Sequence, residues 1–136
     1  MQACYADGAV FNDNVFSDLD ARQVRLMWQM LIERGKDLDI EFRNIEANSS
    51  MGSAEWTASY TFSSSHRKVV NHIHSNFLFD SGKIVHHSDT FDFYAWARQA
   101  LGLKGLLLGW TAFFRRSVQA QAKKSLRKYI SAHQEP

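Results

Sequence analysis

The sequence predicts an α+β fold: a helix, then strands that turn directly into one another, then further helices. Three observations carry this. Val24, Met27, Trp28, Leu31 and Ile32 recur at helical spacing. Four later segments alternate apolar and polar residues or run apolar between turn signals. After residue 93 helical patterning resumes, ending in a basic amphipathic stretch. One helix followed by antiparallel strands is the pattern of an α+β domain, not of a parallel Rossmann sheet.

Taken in order, Val10-Phe11 lies between turn residues and reads as a short strand, with Asp13 just past it. Asp20 caps the first helix, Gln23 closes a capping box three residues later, and Gly35 ends the helix. Leu38, Ile40 and Phe42 alternate with Asp39, Glu41 and Arg43, which makes a half-buried strand. Trp56, Ala58, Tyr60 and Phe62 alternate with Glu55, Thr57, Ser59 and Thr61, which makes another. Two more strands run from about Arg67 to Phe79 and from about Ile84 to Phe93, joined at Asp80-Ser81-Gly82, where Gly82 can take a positive φ. Residues 93–101 are rich in Ala, Trp and Leu. Val118, Ala122, Leu126, Tyr129 and Ile130 then form a stripe opposite Lys123, Lys124, Arg127 and Lys128.

Alternation also says which polar side chains point inward. His87 and Asp89 share a face with Val85, Phe91 and Phe93, while Asn71 and Ser75 share one with Val69, Ile73, Phe77 and Phe79. A three-residue loop between these strands sets Phe77 opposite His87 and Ser75 opposite Asp89, so the two apolar faces coincide. A two-residue loop would set Phe77 opposite His86 instead. The three-residue loop is therefore expected, with Ser75, His87 and Asp89 clustered among aromatic residues. A buried carboxylate is costly unless paired. Asp89 and His87 are thus either acid/base groups tuned by apolar surroundings or a satisfied pair that braces the fold.

Composition bounds the function classes. With 136 residues, 45% of them hydrophobic and 22% charged, the chain can bury a core and is expected to form one domain, residues 1–136. One Pro and seven Gly exclude a Pro-rich or Gly/Ser linker, and the single Cys4 excludes a disulfide framework. His72 and His74 stand two apart on an outward face with no third ligand at a fixed spacing, so no metal is expected. The net charge of +2 hides an uneven spread: residues 1–92 carry 13 acidic against 8 basic side chains, and residues 93–136 carry 8 basic against Glu135 alone. Such a tail can rest on the acidic first part of its own dimer or on an anionic surface. It carries no nucleic-acid motif, and nucleic acid is not expected. A lone thiol, the absence of an apolar leader and the interruption of the Leu101–Phe114 run by glycines and Lys104 fit a soluble, cytoplasmic protein.

The opening Tyr5-Ala6-Asp7-Gly8-Ala9-Val10-Phe11-Asn12-Asp13 resembles the F/Y-A-D-D-A-x-F-x-D-P segment of the nuclear-transport-factor-two-like superfamily. Ketosteroid isomerases, SnoaL-like polyketide cyclases, scytalone dehydratase and limonene epoxide hydrolase belong to it. The hairpin Gly82-Lys83-Ile84-Val85 is similar too, and the resemblance covers roughly residues 1–93 as the core, with 94–136 as a helical extension like that of uncharacterised SnoaL-like proteins. It implies a curved antiparallel sheet wrapped around a helix, a cystatin-like α+β barrel or cone with an apolar pocket and extra C-terminal helices. Asp13 matches the isomerase general base. Asn14 stands where the family has Pro, which leaves the turn less fixed, and Ser75 stands where the isomerase has its proton-donating Asp. The isomerase's catalytic Tyr belongs to a helix that would precede Met1, of which only Met1–Cys4 corresponds here. The C-terminal helices are expected to cover the surface that helix shields. Asp89 lies near where the cyclases and the epoxide hydrolase carry an inward acid.

Two main readings stand. In the first, the protein is a cofactor-independent acid/base catalyst on a small apolar carbonyl or epoxide compound. Asp13 or Asp89 takes a proton, His87 relays or donates one, and Tyr60 or Ser75 bonds the developing oxyanion. In the second, it binds a small ligand without chemistry, through Trp28, Trp56, Tyr60, Phe62, Asn71, Ser75, Phe77 and Phe91. A homodimer is expected through the outward His72, His74, Asn76, His86 and Ser88. Contact of the basic C-terminal helix with a membrane surface is the lesser alternative.

Overall fold

The structure, a computed structural model, describes residues 2–133; Met1 and Glu135 lie outside them. After a 3-10 turn at Gln2–Cys4, the order is β1 (Tyr5–Asn12), α1 (Ala21–Arg34), β2 (Asp39–Ala47), β3 (Met51–Phe62), β4 (Arg67–Asp80), β5 (Lys83–Phe91), α2 (Phe93–Leu101), α3 (Leu103–Leu108) and α4 (Ala112–Ala132). The five strands form one curved, open sheet in the order β1-β5-β4-β3-β2. The fold is α+β as expected, with one refinement. The β2–β3, β3–β4 and β4–β5 pairs are antiparallel, whereas β1 runs parallel to β5, because the two are not hairpin neighbours. β1 is also longer than Val10-Phe11 suggested: its inward residues are Tyr5, Ala9 and Phe11, and the intervening Asp7-Gly8 hides the pattern.

The start and stop of α1 follow the sequence. Asp20 Oδ1 accepts the Gln23 N–H at 2.8 Å, Gln23 Oε1 accepts the Asp20 N–H at 2.9 Å, and the Gly35 N–H donates to the Leu31 carbonyl. The buried face is rotated from the expected one. Ala21, Val24, Met27 and Met30, spaced by three, meet Phe11, Leu19 and Ile84 in the main core, while Leu31 and Ile32 stay exposed.

The β4–β5 register is the expected one, reached by a different device. Ser75 lies opposite Asp89 and Phe77 opposite His87, yet Asp80 pairs with Lys83, so the loop is only Ser81-Gly82. Both loop residues have positive φ, 52° and 76°, the pattern of a type I′ turn. A bulge shifts the register: Phe79 faces Ile84 and Leu78 faces His86, leaving Val85 as the extra residue. This corrects the three-residue loop. The bulge changes which residues of β5 face inward, so Ile84, His87 and Asp89 are buried together. β5 also stops at Phe91, short of Phe93. Asp92 caps α2 by accepting the Ala95 N–H, and Phe93 becomes the buried first residue of that helix.

The C-terminal helices close over this frame. Leu126 of α4 is buried with the α1 core, Ala122, Tyr129 and Ile130 pack beside it, and the Tyr129 hydroxyl donates to Glu33 at 2.8 Å. Phe114, at the other end of α4, packs with Phe93 and Ala97. α3 sits directly on α2 because residue 105 is glycine: a Cβ there would lie 1.9 Å from the Ala97 carbonyl oxygen.

Candidate functional site

Six side chains from five elements form one buried hydrogen-bonded line. The Trp28 indole N–H, on α1, donates to the Tyr5 hydroxyl at 2.9 Å. Tyr5 OH lies 2.7 Å from His87 Nδ1, and His87 Nε2 lies 2.6 Å from Asp89 Oδ1. From the opposite end, the Trp56 indole N–H donates to Ser75 Oγ at 2.8 Å, and the Ser75 hydroxyl donates to the same Asp89 Oδ1 at 2.5 Å. Indole nitrogens only donate, so the direction of the bond at each end of the line is fixed by its tryptophan. His87 stands between Tyr5 and Asp89, with Nδ1 on the Tyr5 hydroxyl and Nε2 on the Asp89 carboxylate. Asp89 Oδ1 accepts twice, as a carboxylate does.

The site exists because each strand delivers its member at the same level. Ser75 and Asp89 are cross-strand partners, His87 is level with Phe77 and with Phe11 of β1, and Trp56 lies two residues along β3, on the same face, from Ala54, the partner of Ser75. Aromatic rings wall it: Phe77 and Phe11 lie 4.4 and 4.9 Å from the imidazole, and Trp28 stacks at 6.3 Å. His87 and Ser75 are each 1% exposed and Asp89 5%. Burial pushes the Tyr5 hydroxyl well above its ordinary value; the Trp28 N–H opposes this and the Asp89 charge adds to it.

Asp13 stands beside this line, not in it. In the parallel β1–β5 pair Phe11 matches His87 and Asn12 matches Ser88, so the next residue comes level with Asp89. Asp13 Oδ1 accepts the Val15 and Phe16 N–H groups at 2.7 and 2.6 Å. Burial raises its pKa to about 6 against a lowering pull from those two N–H groups; the Asp89 charge adds a further raising push and His87 a smaller lowering one. The turn is not loosened by Asn14, contrary to expectation. The Asn14 carboxamide donates to the Phe91 carbonyl at 2.8 Å and accepts the Phe91 N–H at 3.3 Å, continuing the β1–β5 ladder with a side chain. Gln119 of α4 donates to the Asn14 carbonyl at 3.0 Å.

The structure thus brings together Asp13, His87, Asp89, Ser75, Trp28, Trp56 and Phe77, with Phe91 packed against the Trp56 cluster. Asn71, buried next to Ala58, brings a carboxamide to the same inner face beyond Ile73. Tyr60 and Phe62 are elsewhere. Tyr60 pairs with Val69, six residues from Ser75 and so roughly 20 Å along the strand. Its hydroxyl accepts the Trp96 indole N–H, and Phe62 packs edge-on against the same indole. Tyr60 therefore stands apart from the Ser75, His87 and Asp89 group. Sequence reasoning missed Tyr5, Asn14 and Gln119. Tyr5 had a signal, since it shares parity with Ala9 and Phe11 once β1 is extended.

Comparison with known proteins agrees with this architecture. Among solved structures, the chain is similar to a hypothetical protein with ketosteroid isomerase-like fold from Catenulispora acidiphila DSM 44928, in complex with trimethylamine. That match has a TM-score of 0.63 at 7% identity, over 73% of this chain and 78% of that one. It is similar to an LEH-like epoxide hydrolase of M. tuberculosis, with a TM-score of 0.59 at 22% identity over 78% and 79%. It is also similar to a putative SnoaL-like polyketide cyclase from Jannaschia sp. CCS1, with a TM-score of 0.63 at 11% identity over 73% and 74%. No curated protein matches the sequence. Residues 1–87, the stretch that carries Tyr5, Asp13, Ser75 and His87, match the SnoaL-like domain family, and the chain belongs to that family.

Proposed function

We propose that the protein is a cofactor-independent acid/base catalyst acting on a small apolar carbonyl- or epoxide-bearing molecule, with the Asp13 carboxylate as the base. The observation that carries this is the state of Asp13. Two backbone N–H groups hold Oδ1 and leave the other oxygen for chemistry, while burial raises the pKa to about 6, near the pH at which a general base works best. The line from Tyr5 to Trp56 sets the electrostatics: its Asp89 charge helps to raise the Asp13 pKa, and its internal bonds keep His87 and Asp89 from roaming. The similarity to an epoxide hydrolase and a putative polyketide cyclase supports the choice of substrate class.

The test is turnover of a panel of cyclic ketones and epoxides by the wild type and Asp13→Asn. Turnover should drop about 10²–10⁴-fold in the variant, and the wild-type rate should rise as pH passes through about 6, where Asp13 loses its proton. Unchanged turnover in Asp13→Asn would remove the base. A second reading, ligand binding without chemistry, is favoured by the Asn71 carboxamide among apolar neighbours on the inner face, where it would orient a bound molecule. Saturable binding of a panel member with no product, by wild type and Asp13→Asn alike, selects that reading. In either case the outer sheet face, with His72, His74 and Asn76, is the proposed homodimer contact.

A further inference from the structure

The corner formed by α3 and the start of α4 is apolar, outward and unused by the site. Between Gly102 and Phe114 the chain exposes Leu103, Leu106, Leu107, Leu108, Trp110 and Phe113, with Trp110 74% and Phe113 83% exposed. Only Phe114 of this run turns inward. Scattered apolar side chains on a surface are ordinary, but six within eleven consecutive residues mark a contact surface.

We propose that this corner docks on the surface of an anionic lipid bilayer. Two further features favour that occupant. The first is that carbonyls at the tip are already satisfied from within. Gly105 O accepts the Gly109 N–H at 2.8 Å, Leu106 O accepts the Tyr94 hydroxyl at 2.7 Å, and Leu107 O accepts the Trp110 indole N–H at 3.0 Å. Leu108 O accepts both the N–H and the hydroxyl of Thr111, at 2.9 and 2.7 Å. The last carbonyls of a helix ordinarily look to water or to a cap, and an unpaired one becomes costly where water is scarce. Trp110 also arrives with its one polar atom bonded, so its ring can enter an apolar layer without stripping a hydrogen bond from water.

The second feature is charge. Arg98, Lys104, Arg115 and Arg116 are exposed around the apolar tip, and no acidic residue occurs between Asp92 and Glu135. Two copies of this face brought together would set like charges against each other, whereas an anionic surface complements them. α3 has six residues, about 9 Å of helix, which suits shallow insertion at the headgroup boundary. Among the described residues no helix is long and apolar enough to cross a membrane. The close seat of Gly105 on Ala97 holds the corner in a fixed orientation.

The test is flotation of the purified chain with vesicles of phosphatidylcholine alone and of equal parts phosphatidylcholine and phosphatidylglycerol. The wild type should float with the mixed vesicles and weaken as salt rises. Lys104→Gln and Arg116→Gln should each weaken partition about fivefold. The double variant Trp110→Ser with Phe113→Ser should lose it while keeping the wild-type circular dichroism, because both side chains are largely in solvent. Failure of the wild type to float with mixed vesicles overturns the proposal. So does a wild-type dimer, measured by light scattering, that the same double variant dissolves without any vesicle binding, since the face would then be a contact between copies.

Discussion

Substituting Ser75 by alanine cuts the buried line at its most connected point. Asp89 Oδ1 loses one of its two donors, and the Trp56 indole N–H loses its acceptor. A hydrogen bond to a charged group contributes about 1.5–3 kcal/mol, and a buried donor left unpaired costs about 1–3 kcal/mol. The two together give roughly 3–5 kcal/mol, a large share of the roughly 7–20 kcal/mol expected for a chain of this length. In a Trp56→Phe background the orphaned indole does not exist, so the same Ser75→Ala change should cost only about 1.5–3 kcal/mol. The cycle of wild type, two single variants and the double variant isolates this difference, and the volume lost at Trp56 enters both of its legs and cancels. Urea unfolding followed by circular dichroism should yield a coupling of about 1–3 kcal/mol between positions 56 and 75. Additivity within about 0.5 kcal/mol would show that the indole, hydroxyl and carboxylate do not act as a unit.

Further outcomes follow from the same geometry. Asp13 has a folded pKa of about 6 against an ordinary value of 3.8. The folded state therefore holds this proton more tightly than the unfolded chain, and the associated stability is fully present below about pH 3.8 and lost as pH rises to about 6. Asp13→Asn, which keeps an acceptor for Val15 and Phe16, should match the wild type at pH 3.5 and exceed it by about 2–3 kcal/mol at pH 7, read from urea midpoints at the two pH values. Asn14→Ala removes two bonds to the Phe91 backbone and should cost about 1–2 kcal/mol, with faster exchange of the Phe91 amide as the local readout. Gly105→Ala forces a Cβ to within 1.9 Å of the Ala97 oxygen unless α3 lifts; a loss of about 1–3 kcal/mol by thermal unfolding is expected.

Much of the fold is written locally. The Asp20–Gln23 box of α1 and the alternation of β3 and β4 each lie within a few residues, and all three elements form where those patterns occur. The opposition of Ser75 to Asp89 was legible because only one register aligns two apolar faces. How the chain reaches that register was not, since a type I′ turn plus a bulge at Val85 displaces the strands as a three-residue loop would. Phe93 read as strand because Asp92 fits an alternating pattern, and its role as a helix cap shows only when the helix forms. The helix face was misread at Leu31 and Ile32 because α1 carries apolar side chains on two adjoining rows, and only tertiary packing selects the row with Met30. The Tyr5–His87 bond joins residues 82 apart in sequence, and no local pattern encodes it.

The proposed chemistry stands on Asp13 being a carboxylate tuned to serve as a base. A carbon-detected NMR titration of the aspartate carboxyl groups, with the Asp13 signal assigned by its loss in Asp13→Asn, measures this directly. A midpoint near pH 6 is expected, moving down in Asp89→Asn because the Asp89 charge is one of its raising causes. A midpoint near the ordinary 3.8, unmoved by Asp89→Asn, would contradict it.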